Sequence, residues 1–215
     1  METILSWSAG KDSTATGILA KLHNIHIDEI VCVMPDPFKQ ELEFIARFED
    51  YMEMPVTLIP SPTYEDYFWK KKVRGKHQGT IYGFPFAAYR TCARIMKWQP
   101  MKNYVKNRNV KFLIGIATDE KNRKIISPNE SLLIRYWLTE ADARQLCADH
   151  DLLNPLYKYF DRLGCVRCTK QSKKAMLKVK ELEPEKYQWI IDHDDISPVT
   201  FRKGKTFREW MGDDL

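Results

Sequence analysis

The sequence lacks several features that would assign the protein to particular classes. No uninterrupted apolar run approaches the roughly 20 residues of a membrane-spanning helix. The start of the chain, METILSWSAG, lacks the basic residues and the long apolar stretch of a secretory signal peptide. The five cysteines are an odd number, which in a chain without a secretion signal argues against structural disulfides. We therefore expect a soluble, cytoplasmic protein without a disulfide framework.

The composition is that of an ordinary globular protein. Of the 215 residues, 44% are hydrophobic, which argues against disorder. A chain of this length buries roughly 70% of its unfolded surface, so its core needs no covalent cross-links. The 34 basic and 29 acidic residues give a formal net charge of +5. This mild excess permits binding of nucleotides or nucleic acid but does not demand it.

Short β-prone runs alternate with longer segments of helical spacing in the first half of the chain. The predicted strands are Thr3–Trp7, Glu29–Met34, Val56–Ile59 and Lys111–Ile116, and the predicted helices are Ser13–Asn24 and Phe38–Met52. This alternation is typical of βαβ units. It predicts an α/β fold with a doubly wound, mostly parallel sheet that helices cover on both faces.

The segments between and after these units are more irregular. A polar and aromatic stretch, 61–86, includes the basic segment 69–79, whose glycines predict a surface loop. A helix is expected near 88–106, and a turn-rich insert over 118–130.

The C-terminal part of the chain is predicted to be helical. Thr139, with Asp142 three residues later, forms a capping pattern that predicts a helix as far as His150. We expect two domains: an α/β domain, 1–150, and a helical C-terminal region, 151–215, that packs on it and carries a CxxC pair.

The segment between the first strand and the first helix carries the strongest functional signal. A helix N-terminus has free N–H groups and a partial positive charge, and it therefore binds phosphate. Gly10 lets the backbone approach an anion closely. The hydroxyls of Ser8 and Ser13 can donate to phosphate oxygens, and Lys11 can neutralise their charge.

This loop does not fit the Walker A pattern, because Leu5 and Asp12 stand where that pattern has glycine and serine or threonine. Its SxGKDS pattern, residues 8–13, resembles the PP-loop of the ATP pyrophosphatase superfamily, also called adenine nucleotide α-hydrolase-like proteins. The resemblance implies a loop that grips the pyrophosphate of an adenine nucleotide such as ATP. A turn that only caps the helix is the structural alternative.

Three later segments narrow the resemblance to one family. They are Gly115–Glu120 followed by Arg123, Arg90–Cys92, and Phe160–Lys170 with the sequence FDRLGCVRCTK. The first of these follows a predicted strand, at the sheet edge where open α/β folds bind ligands. In this order, and with the first loop, the segments resemble the phosphoadenosine phosphosulfate (PAPS) reductase family over roughly residues 3–195. The resemblance implies a PP-loop, Rossmann-like domain that binds an adenine nucleotide.

The cysteines that take part in this resemblance are Cys92, Cys165 and Cys168. Iron–sulfur members of the family, the adenylylsulfate (APS) reductases, have an upstream Cys-Cys pair and a downstream CxxC as ligands of a [4Fe–4S] cluster. Here Thr91 occupies the place of one ligand, which leaves three thiolates for such a cluster. Zinc held by three cysteines and one further ligand, such as His77 or His150, is an alternative. A metal-free dithiol, or plain core cysteines, is another.

The resemblance implies an ATP-dependent enzyme that cleaves the α–β bond, adenylates an acceptor and assists sulfur transfer to it. The expected catalytic residues are Lys11, Asp12, Asp119 and Glu120, and the expected nucleotide-binding residues are Ser8, Gly10, Lys11, Asp12, Ser13, Arg90 and Arg123. Lys11 would stabilise charge on the departing pyrophosphate, and Asp12 would orient the loop or hold Mg²⁺. A charged turn is the alternative for Asp119 and Glu120.

The acceptor and the partners stay open. A tRNA, DNA or small-molecule acceptor, a sulfur or electron donor protein, and a homodimer are the alternatives. The basic segment 69–77 with its flanking aromatics suits a nucleic-acid backbone with base stacking, whereas a solvated loop is the plain alternative.

Sulfonucleotide reductases of the family use a nucleophilic cysteine in a C-terminal tail, and no cysteine follows Cys168 here. A PAPS or APS reductase and a non-catalytic nucleotide- or nucleic-acid-binding module are the alternative functions.

Overall fold

Four short strands of the computed structural model pair in parallel and form a sheet. The strands are β1 (Glu2–Trp7), β2 (Glu29–Cys32), β3 (Val56–Leu58) and β4 (Val110–Ile114), and their order in the sheet is β3-β2-β1-β4. The structure describes residues 1–86, 90–121 and 123–214. Because parallel neighbours cannot be joined by a tight turn, helices and long segments connect the strands.

The strand β1 lies inside the sheet and sets its register. Ile4 stands opposite Glu29 of β2 on one side and Phe112 of β4 on the other. Ile4 and Leu5 are both fully buried, as expected of a parallel strand whose two faces are covered. The predicted α/β fold with a parallel sheet flanked by helices is therefore confirmed, and the strand ends lie within one or two residues of the predicted ones.

The helices have the following bounds. They are α1 (Lys11–Leu22), α2 (Lys39–Met52), α3 (Tyr64–Trp69), α4 (Thr91–Ala93), a π-helical turn (Arg94–Trp98), α5 (Gln99–Tyr104), α6 (Leu132–Arg135), α7 (Glu140–Asp149), a 3-10 turn (Pro155–Lys158), α8 (Lys173–Leu182), α9 (Pro184–Asp192), α10 (Phe207–Met211) and a final 3-10 turn (Gly212–Asp214). Each described helix is too short or too polar to cross a membrane.

Aromatic packing holds the end of β1 against the helices. The indole of Trp7 stacks on the ring of Phe48 in α2 with a centroid separation of 4.5 Å. The indole Nε1 of Trp7 donates to Thr14 Oγ1 in α1 at 3.0 Å, so its buried polar atom has a partner. Buried aromatics of this kind typically contribute about 3–5 kcal/mol each to the free energy of unfolding. The two ends of the intervening loop, residues 8–10, are thereby fixed.

The predicted cap of α7 is confirmed in detail. The hydroxyl of Thr139 accepts from the N–H of Asp142, and the Asp142 carboxylate accepts from the N–H of Thr139 at 2.8 Å. This reciprocal capping box satisfies two N–H groups that the helix leaves without partners. It places the first residue of the helix, Glu140, at a defined position.

The chain forms two compact units, each assembled from separate segments. The first comprises Met1–Val33, Lys39–Ile59 and Lys102–Leu163, and the second comprises Met34–Phe38, Pro60–Met101 and Gly164–Leu215. The first contains the sheet, and the second contains α3 and α8 to α10. The predicted domain boundary at residue 150 stays a prediction.

The segment 60–101 departs from its predicted description in two places. Helix α3 was not predicted, although Thr63 and Asp66 form a capping box at its start. The predicted surface loop 69–79 is exposed, but its two arms pair as a short antiparallel hairpin through a bridge between Lys71 and Ile81. The predicted helix near 88–106 is observed from Thr91 to Tyr104, and its predicted start lies outside the described residues.

Candidate active site

The order of the strands reverses between β1 and β4. From β1 the chain runs outward to β2 and β3, and it then returns to add β4 on the other side of β1. Open α/β sheets bind ligands at the carboxyl ends of the strands beside such a reversal. A cavity of about 220 Å³ lies at this place, and we call it the β1–β4 cavity. Its lining residues are Ser6, Ser8, Gly10, Asp12, Ser13, Ile114, Gly115 and Arg123.

A hydroxyl at the start of α1 organises the loop from within. The Oγ atom of Ser13 accepts from the N–H of Ser8 at 3.1 Å and donates to the carbonyl of Gly10 at 3.0 Å. The Oγ atoms of Ser8 and Ser13 are 3.2 Å apart. The Ser13 proton, which the sequence pattern assigned to a phosphate oxygen, is therefore donated within the loop in this structure.

Side chains from a distant part of the sequence hold the same loop from outside. The amide of Asn154 donates to the carbonyl of Ala9 at 3.2 Å, and the hydroxyl of Tyr157 accepts from the N–H of Lys11 at 2.8 Å. Ala9 is fully buried and has a φ of 55°, a conformation that costs an L-residue roughly 1–3 kcal/mol. Such a conformation persists only where surrounding contacts enforce it, and Asn154 and Tyr157 supply those contacts.

The end of β4 touches the start of α1 without space for a side chain. A Cβ atom on Gly115 would lie 2.5 Å from the Ser13 nitrogen and 2.6 Å from the carbonyl carbon of Asp12. Both neighbours are backbone atoms, so they cannot move aside as a flexible side chain can. Glycine at this position is what allows β4 and the loop to form two walls of one cavity.

The ammonium of Lys11 is held between two carboxylates. Its Nζ atom is 2.8 Å from Asp12 Oδ1 and 2.7 Å from Glu140 Oε2. Lys11 is 8% exposed, whereas the Glu140 side chain is 52% exposed. Burial opposes the charged ammonium, but the hydrogen bonds to the two carboxylates outweigh it and raise the pKa of Lys11. Burial also raises the pKa of Asp12, against the opposing effect of the Lys11 ammonium.

The two acidic residues after β4 have structural partners. Asp119 Oδ1 accepts from the N–H of Glu140 at 3.0 Å, so it caps α7 and helps to place the Glu140 carboxylate. Glu120 forms an ion pair with Arg123 at 3.2 Å. Arg123 also donates to the carbonyl of Gly115 at 3.4 Å, which keeps its guanidinium at the wall of the β1–β4 cavity.

In the second unit, one aspartate holds the CxxC turn. Asp36 accepts from the N–H of Val166 through its carbonyl, at 3.0 Å, and from the N–H of Arg167 through Oδ2, at 2.8 Å. The guanidinium of Arg167 forms a second, buried contact with the Asp36 carboxylate at 2.8 Å. Removing one partner of such a buried pair typically costs about 3–5 kcal/mol. Asp36 therefore fixes the backbone between Cys165 and Cys168.

The comparison with known families decides the identity of the chain. Residues 2–131 match the phosphoadenosine phosphosulfate reductase domain, which is more than half of the sequence. The chain belongs to the phosphoadenosine phosphosulfate reductase family. Two proteins of Methanocaldococcus jannaschii are similar to it, uncharacterized proteins MJ0973 and MJ0066. They are 26% and 25% identical, over 87% and 86% of this chain and 46% and 40% of their own lengths. The chain thus spans less than half the length of these relatives.

In this member of the phosphoadenosine phosphosulfate reductase family, three of the five cysteines belong to the second unit, and two of them, Cys165 and Cys168, lie beyond the matched residues 2–131. Cys92, Cys165 and Cys168 are each half-buried. Burial raises the pKa of Cys165 to about 12, and burial also raises that of Cys92, with the charge of Cys168 adding to both shifts. Among the described residues, no group of three cysteine, histidine or acidic side chains is placed to hold a single metal ion. The three thiols are electrostatic neighbours.

A buried hydroxyl without a partner lies beside these thiols. Tyr64 is 1% exposed, and none of the residues that the structure describes forms a hydrogen bond with its Oη. Burial raises the pKa of Tyr64 well above its usual value, and the charges of Asp36, Cys168 and Cys165 raise it further. Its ring packs in a cluster that Cys92 also contacts. Leaving a buried hydroxyl unpaired costs about 1–3 kcal/mol, so an acceptor at this place would relieve a real penalty.

The structure therefore brings some of the predicted residues together and separates others by unit. The cavity gathers Ser8, Gly10, Asp12, Ser13 and Arg123. Lys11 pairs with Asp12 of the cavity wall, and Asp119 is joined to Lys11 only through Glu140. Arg90 belongs to the second unit, where it is exposed, has a φ of 47° and precedes the helix that carries Cys92.

Five residues that the structure places in the two sites were not predicted from the sequence. They are Asp36, Tyr64, Glu140, Asn154 and Tyr157. A capping pattern pointed to the start of α7 and so to the position of Glu140. No sequence pattern marked the other four.

Proposed function

We propose that the protein binds the phosphates of ATP in the β1–β4 cavity and cleaves the bond between the α- and β-phosphates, so that an acceptor is adenylated. The observation that carries this proposal is the position of the cavity. It lies at the carboxyl ends of β1 and β4 and at the N-terminus of α1, where backbone N–H groups and the helix dipole favour an anion.

The size of the cavity supports a phosphate subsite. Its volume of about 220 Å³ is below the roughly 300–1,000 Å³ of pockets that enclose a drug-sized ligand. It is large enough for part of a triphosphate but not for a whole nucleotide. The nucleoside would then extend out of the cavity.

The side chains around the cavity support a mechanism in which Lys11 changes its partners from two carboxylates to the leaving pyrophosphate. A nucleophile of the acceptor attacks the α-phosphorus, the bond from that phosphorus to the bridging oxygen breaks, and pyrophosphate leaves with that oxygen. The acceptor proton passes to solvent or to a carboxylate. In the free protein the Lys11 ammonium is neutralised by Asp12 and Glu140. When Mg²⁺ enters as part of the Mg²⁺–ATP substrate, those carboxylates offer the oxygen ligands that it prefers. Lys11 is then free to stabilise the leaving pyrophosphate.

The products of ATP test this function. When the protein is incubated with Mg²⁺–ATP and a simple nucleophile such as hydroxylamine, we expect pyrophosphate, together with AMP where water attacks the α-phosphorus and the adenylated nucleophile where hydroxylamine does. Binding of α,β-methylene-ATP, whose α–β link cannot be cleaved, is expected without product. Formation of ADP and phosphate would contradict the assignment of the bond, and failure to bind either nucleotide would contradict the site.

The family match favours a second candidate, the reduction of a sulfonucleotide. Such a substrate carries its phosphates on an adenosine and fits the same anion site. Incubation with PAPS and a thiol reductant separates the two functions, because a reductase releases sulfite and adenosine bisphosphate. Release of sulfite without pyrophosphate formation from ATP would decide for the reductase.

We also propose that Cys92, Cys165 and Cys168 hold an iron–sulfur cluster in the loaded protein. Thiolates are the ligands that such clusters prefer. The charges of Cys168 and Cys92 both act on the Cys165 thiol, and that of Cys168 acts on Cys92 as well, which supports a site shared by the three. When bound, the cluster supplies an iron with an open coordination position.

Loss of Cys92 is expected to remove the metal. Anaerobically purified protein should contain about four iron and four acid-labile sulfide per chain, and Cys92→Ala should lose both because only two thiolates remain. Cys32→Ala, which removes a fully buried cysteine of β2 in the first unit, should keep them. Stoichiometric zinc without sulfide in the wild-type protein would contradict the cluster.

Tyr64→Phe is expected to act in opposite directions on the metal-free and loaded protein. Without metal, the free energy of unfolding of the variant should be higher by about 1–2 kcal/mol, because the unpaired hydroxyl is gone. The variant should therefore unfold at a higher temperature. With the cluster bound, it should release iron to a chelator faster, because the Tyr64 hydroxyl would be the donor to a sulfur of the site.

Tyr187→Phe is the matched control for this experiment. Its hydroxyl is also buried without a partner among the described residues, but its ring packs on Phe207. Burial and Asp214 raise the pKa of Tyr187, whereas cysteines contribute to the raised pKa of Tyr64. It should stabilise both forms and leave iron release unchanged. An identical response of the two variants would show that the Tyr64 hydroxyl has no contact with the cluster.

A further inference from the structure

One segment of the second unit is strongly basic and contains no acid. From Tyr67 to Met101 the sequence has no aspartate or glutamate. Its basic residues are Lys70, Lys71, Lys72, Arg74, Lys76, Arg90, Arg94 and Lys97. The whole chain has a net charge of only +5, so the sequence outside this segment has a net charge of 5 − 8 = −3, and the positive excess is concentrated in the segment.

Five of these charges stand on an ordered hairpin, which we call the basic hairpin (residues 70–82). The N–H of Lys72 donates to Thr80, that of Gly79 donates to Lys72, and that of Tyr82 donates to Lys70, each at 2.8 Å. Its basic side chains are exposed, apart from the half-buried Lys72. No carboxylate of the described residues forms an ion pair with them.

The nearest acids along the chain are already engaged and do not neutralise the hairpin. Glu65 forms an ion pair with Arg167 at 2.9 Å, and Asp66 caps α3 through Thr63. A cluster of like charges without counter-charges opposes folding by its mutual repulsion. An anionic partner would remove that repulsion.

Exposed aromatic rings accompany these charges. The exposed fractions of Trp69, Phe86 and Trp98 are 47%, 42% and 59%. Two ring contacts hold Trp69 in place, because its ring packs against those of Phe68 and His193 with centroid separations of 5.1 Å and 5.5 Å. Trp98 follows Arg94 and Lys97 in the π-helical turn. A ring that is both exposed and fixed in position offers a flat face for stacking.

The hairpin and the π-helical turn adjoin the same hydrophobic cluster. Tyr82, the last residue of the hairpin, and Ile95 of the turn both pack on the cluster of Tyr64, Tyr67 and Met96. The two basic elements are thus neighbours in one unit. Cys92 contacts the same cluster.

We propose that the basic hairpin and the adjoining π-helical turn form a binding surface for single-stranded nucleic acid. The phosphates of the single strand would contact the lysines and arginines, and its unstacked bases would lie on Trp69 and Trp98. Single strands use both features, since a basic groove tracks their backbone while aromatic rings stack on their bases. A duplex keeps its bases stacked and uses the charges alone. That the bound strand is also the acceptor rests on the proposed function, whereas the binding itself does not.

Binding of a labelled oligonucleotide to the full chain without ATP tests this surface. We expect a fluorescein-labelled 12-nucleotide single strand to bind more tightly than a duplex of the same length, with affinity that falls as salt rises. Replacing Lys70, Lys71 and Lys72 with glutamine should weaken binding by about tenfold or more and reduce the slope of log K against log salt by about 2. Trp98→Ala should weaken it by about five- to 150-fold, the range for loss of one base stack.

Control variants and competitors make each outcome decisive. Lys174, Lys203 and Lys205 are exposed lysines of the same unit, and their triple glutamine variant removes the same charge elsewhere. Equal losses in both triple variants would overturn the assigned surface. Equal affinity for duplex and single strand, or displacement of the strand by polyglutamate at equal charge, would overturn the choice of partner. Because no ATP is present, a failure here differs from a failure of ATP cleavage.

Discussion

Replacing Gly115 with alanine is expected to abolish nucleotide binding and to lower the free energy of unfolding by about 3 kcal/mol. The added Cβ would lie 2.5 Å from the Ser13 nitrogen and 2.6 Å from the carbonyl carbon of Asp12. Overpacking costs about 1–3 kcal/mol where neighbours can shift. Here the neighbours belong to the backbone at the start of α1, so the upper end applies. The loop must move away from β4, and the geometry of the β1–β4 cavity is lost.

Thermal unfolding and calorimetric titration with ATP measure the two effects. For a protein of this size, 3 kcal/mol corresponds to a decrease in Tm of roughly 6–12 °C. Gly164→Ala is the structural control, since a Cβ there meets no atom within 4 Å. Gly10→Ala is the ligand control. Its Cβ would make ordinary contacts of 3.5 Å with Ser8 and 3.6 Å with Tyr157, so Tm should be retained while ATP binding weakens. Normal ATP affinity in Gly115→Ala would show that the nucleotide does not use this cavity.

The contrast between Gly115 and Tyr157 shows where sequence reasoning succeeds on this protein. The elements around the first loop are local, because the SxGKDS pattern lies between a strand and a helix that follow one another in the chain. Gly115 lies near the end of the predicted strand Lys111–Ile116, directly after the observed β4, and belongs to a segment that the family resemblance marked. Parallel pairing of β1 and β4 then places it beside the loop. These parts of the site follow from hydrophobic patterning and the order of the strands.

The contacts that the sequence did not predict join distant parts of the chain. Tyr157 reaches the N–H of Lys11 across 146 positions, and Arg167 reaches Asp36 across 131. Neither pair has a spacing rule, since such contacts depend on how whole segments pack. The second unit makes this plain, because residues 34–38 join 60–101 and 164–215 to form it. Asp36 therefore holds a turn that belongs to the far end of the sequence.

Replacing Lys11 with methionine is expected to reduce kcat for pyrophosphate release by about 100- to 1,000-fold, the typical cost of losing one group that stabilises a developing anion. Methionine keeps the apolar part of this buried side chain and removes the charge.

The pairing raises the pKa of Lys11 above 10.5. Its contribution to stability is therefore fully present below pH 10.5 and is lost only as the pH rises through the higher value in the folded state. The ammonium stays charged throughout the neutral range, so a pH–rate profile near pH 7 reports other groups.

Glu140→Gln tests whether Glu140 and pyrophosphate compete for the Lys11 ammonium. In the free protein, Glu140 competes with phosphate for Lys11 at 2.7 Å. Its side chain is 52% exposed, so screening by solvent limits the pair to about 1 kcal/mol or less. Without Mg²⁺, the variant should bind pyrophosphate up to about fivefold more tightly, since 1.4 kcal/mol corresponds to tenfold.

A double variant identifies the route of this effect. If Glu140 acts through Lys11, the gain in pyrophosphate affinity should fall below about twofold in Lys11→Met. With Mg²⁺–ATP, Glu140→Gln should raise the Mg²⁺ concentration needed for half-maximal turnover, because one oxygen ligand is lost. A gain that persists without Lys11, together with an unchanged Mg²⁺ requirement, would mean that Glu140 only repels anions from a distance. The proposal that the Lys11 ammonium leaves its two carboxylate partners and binds pyrophosphate would then be wrong, even if ATP is cleaved at the α–β bond.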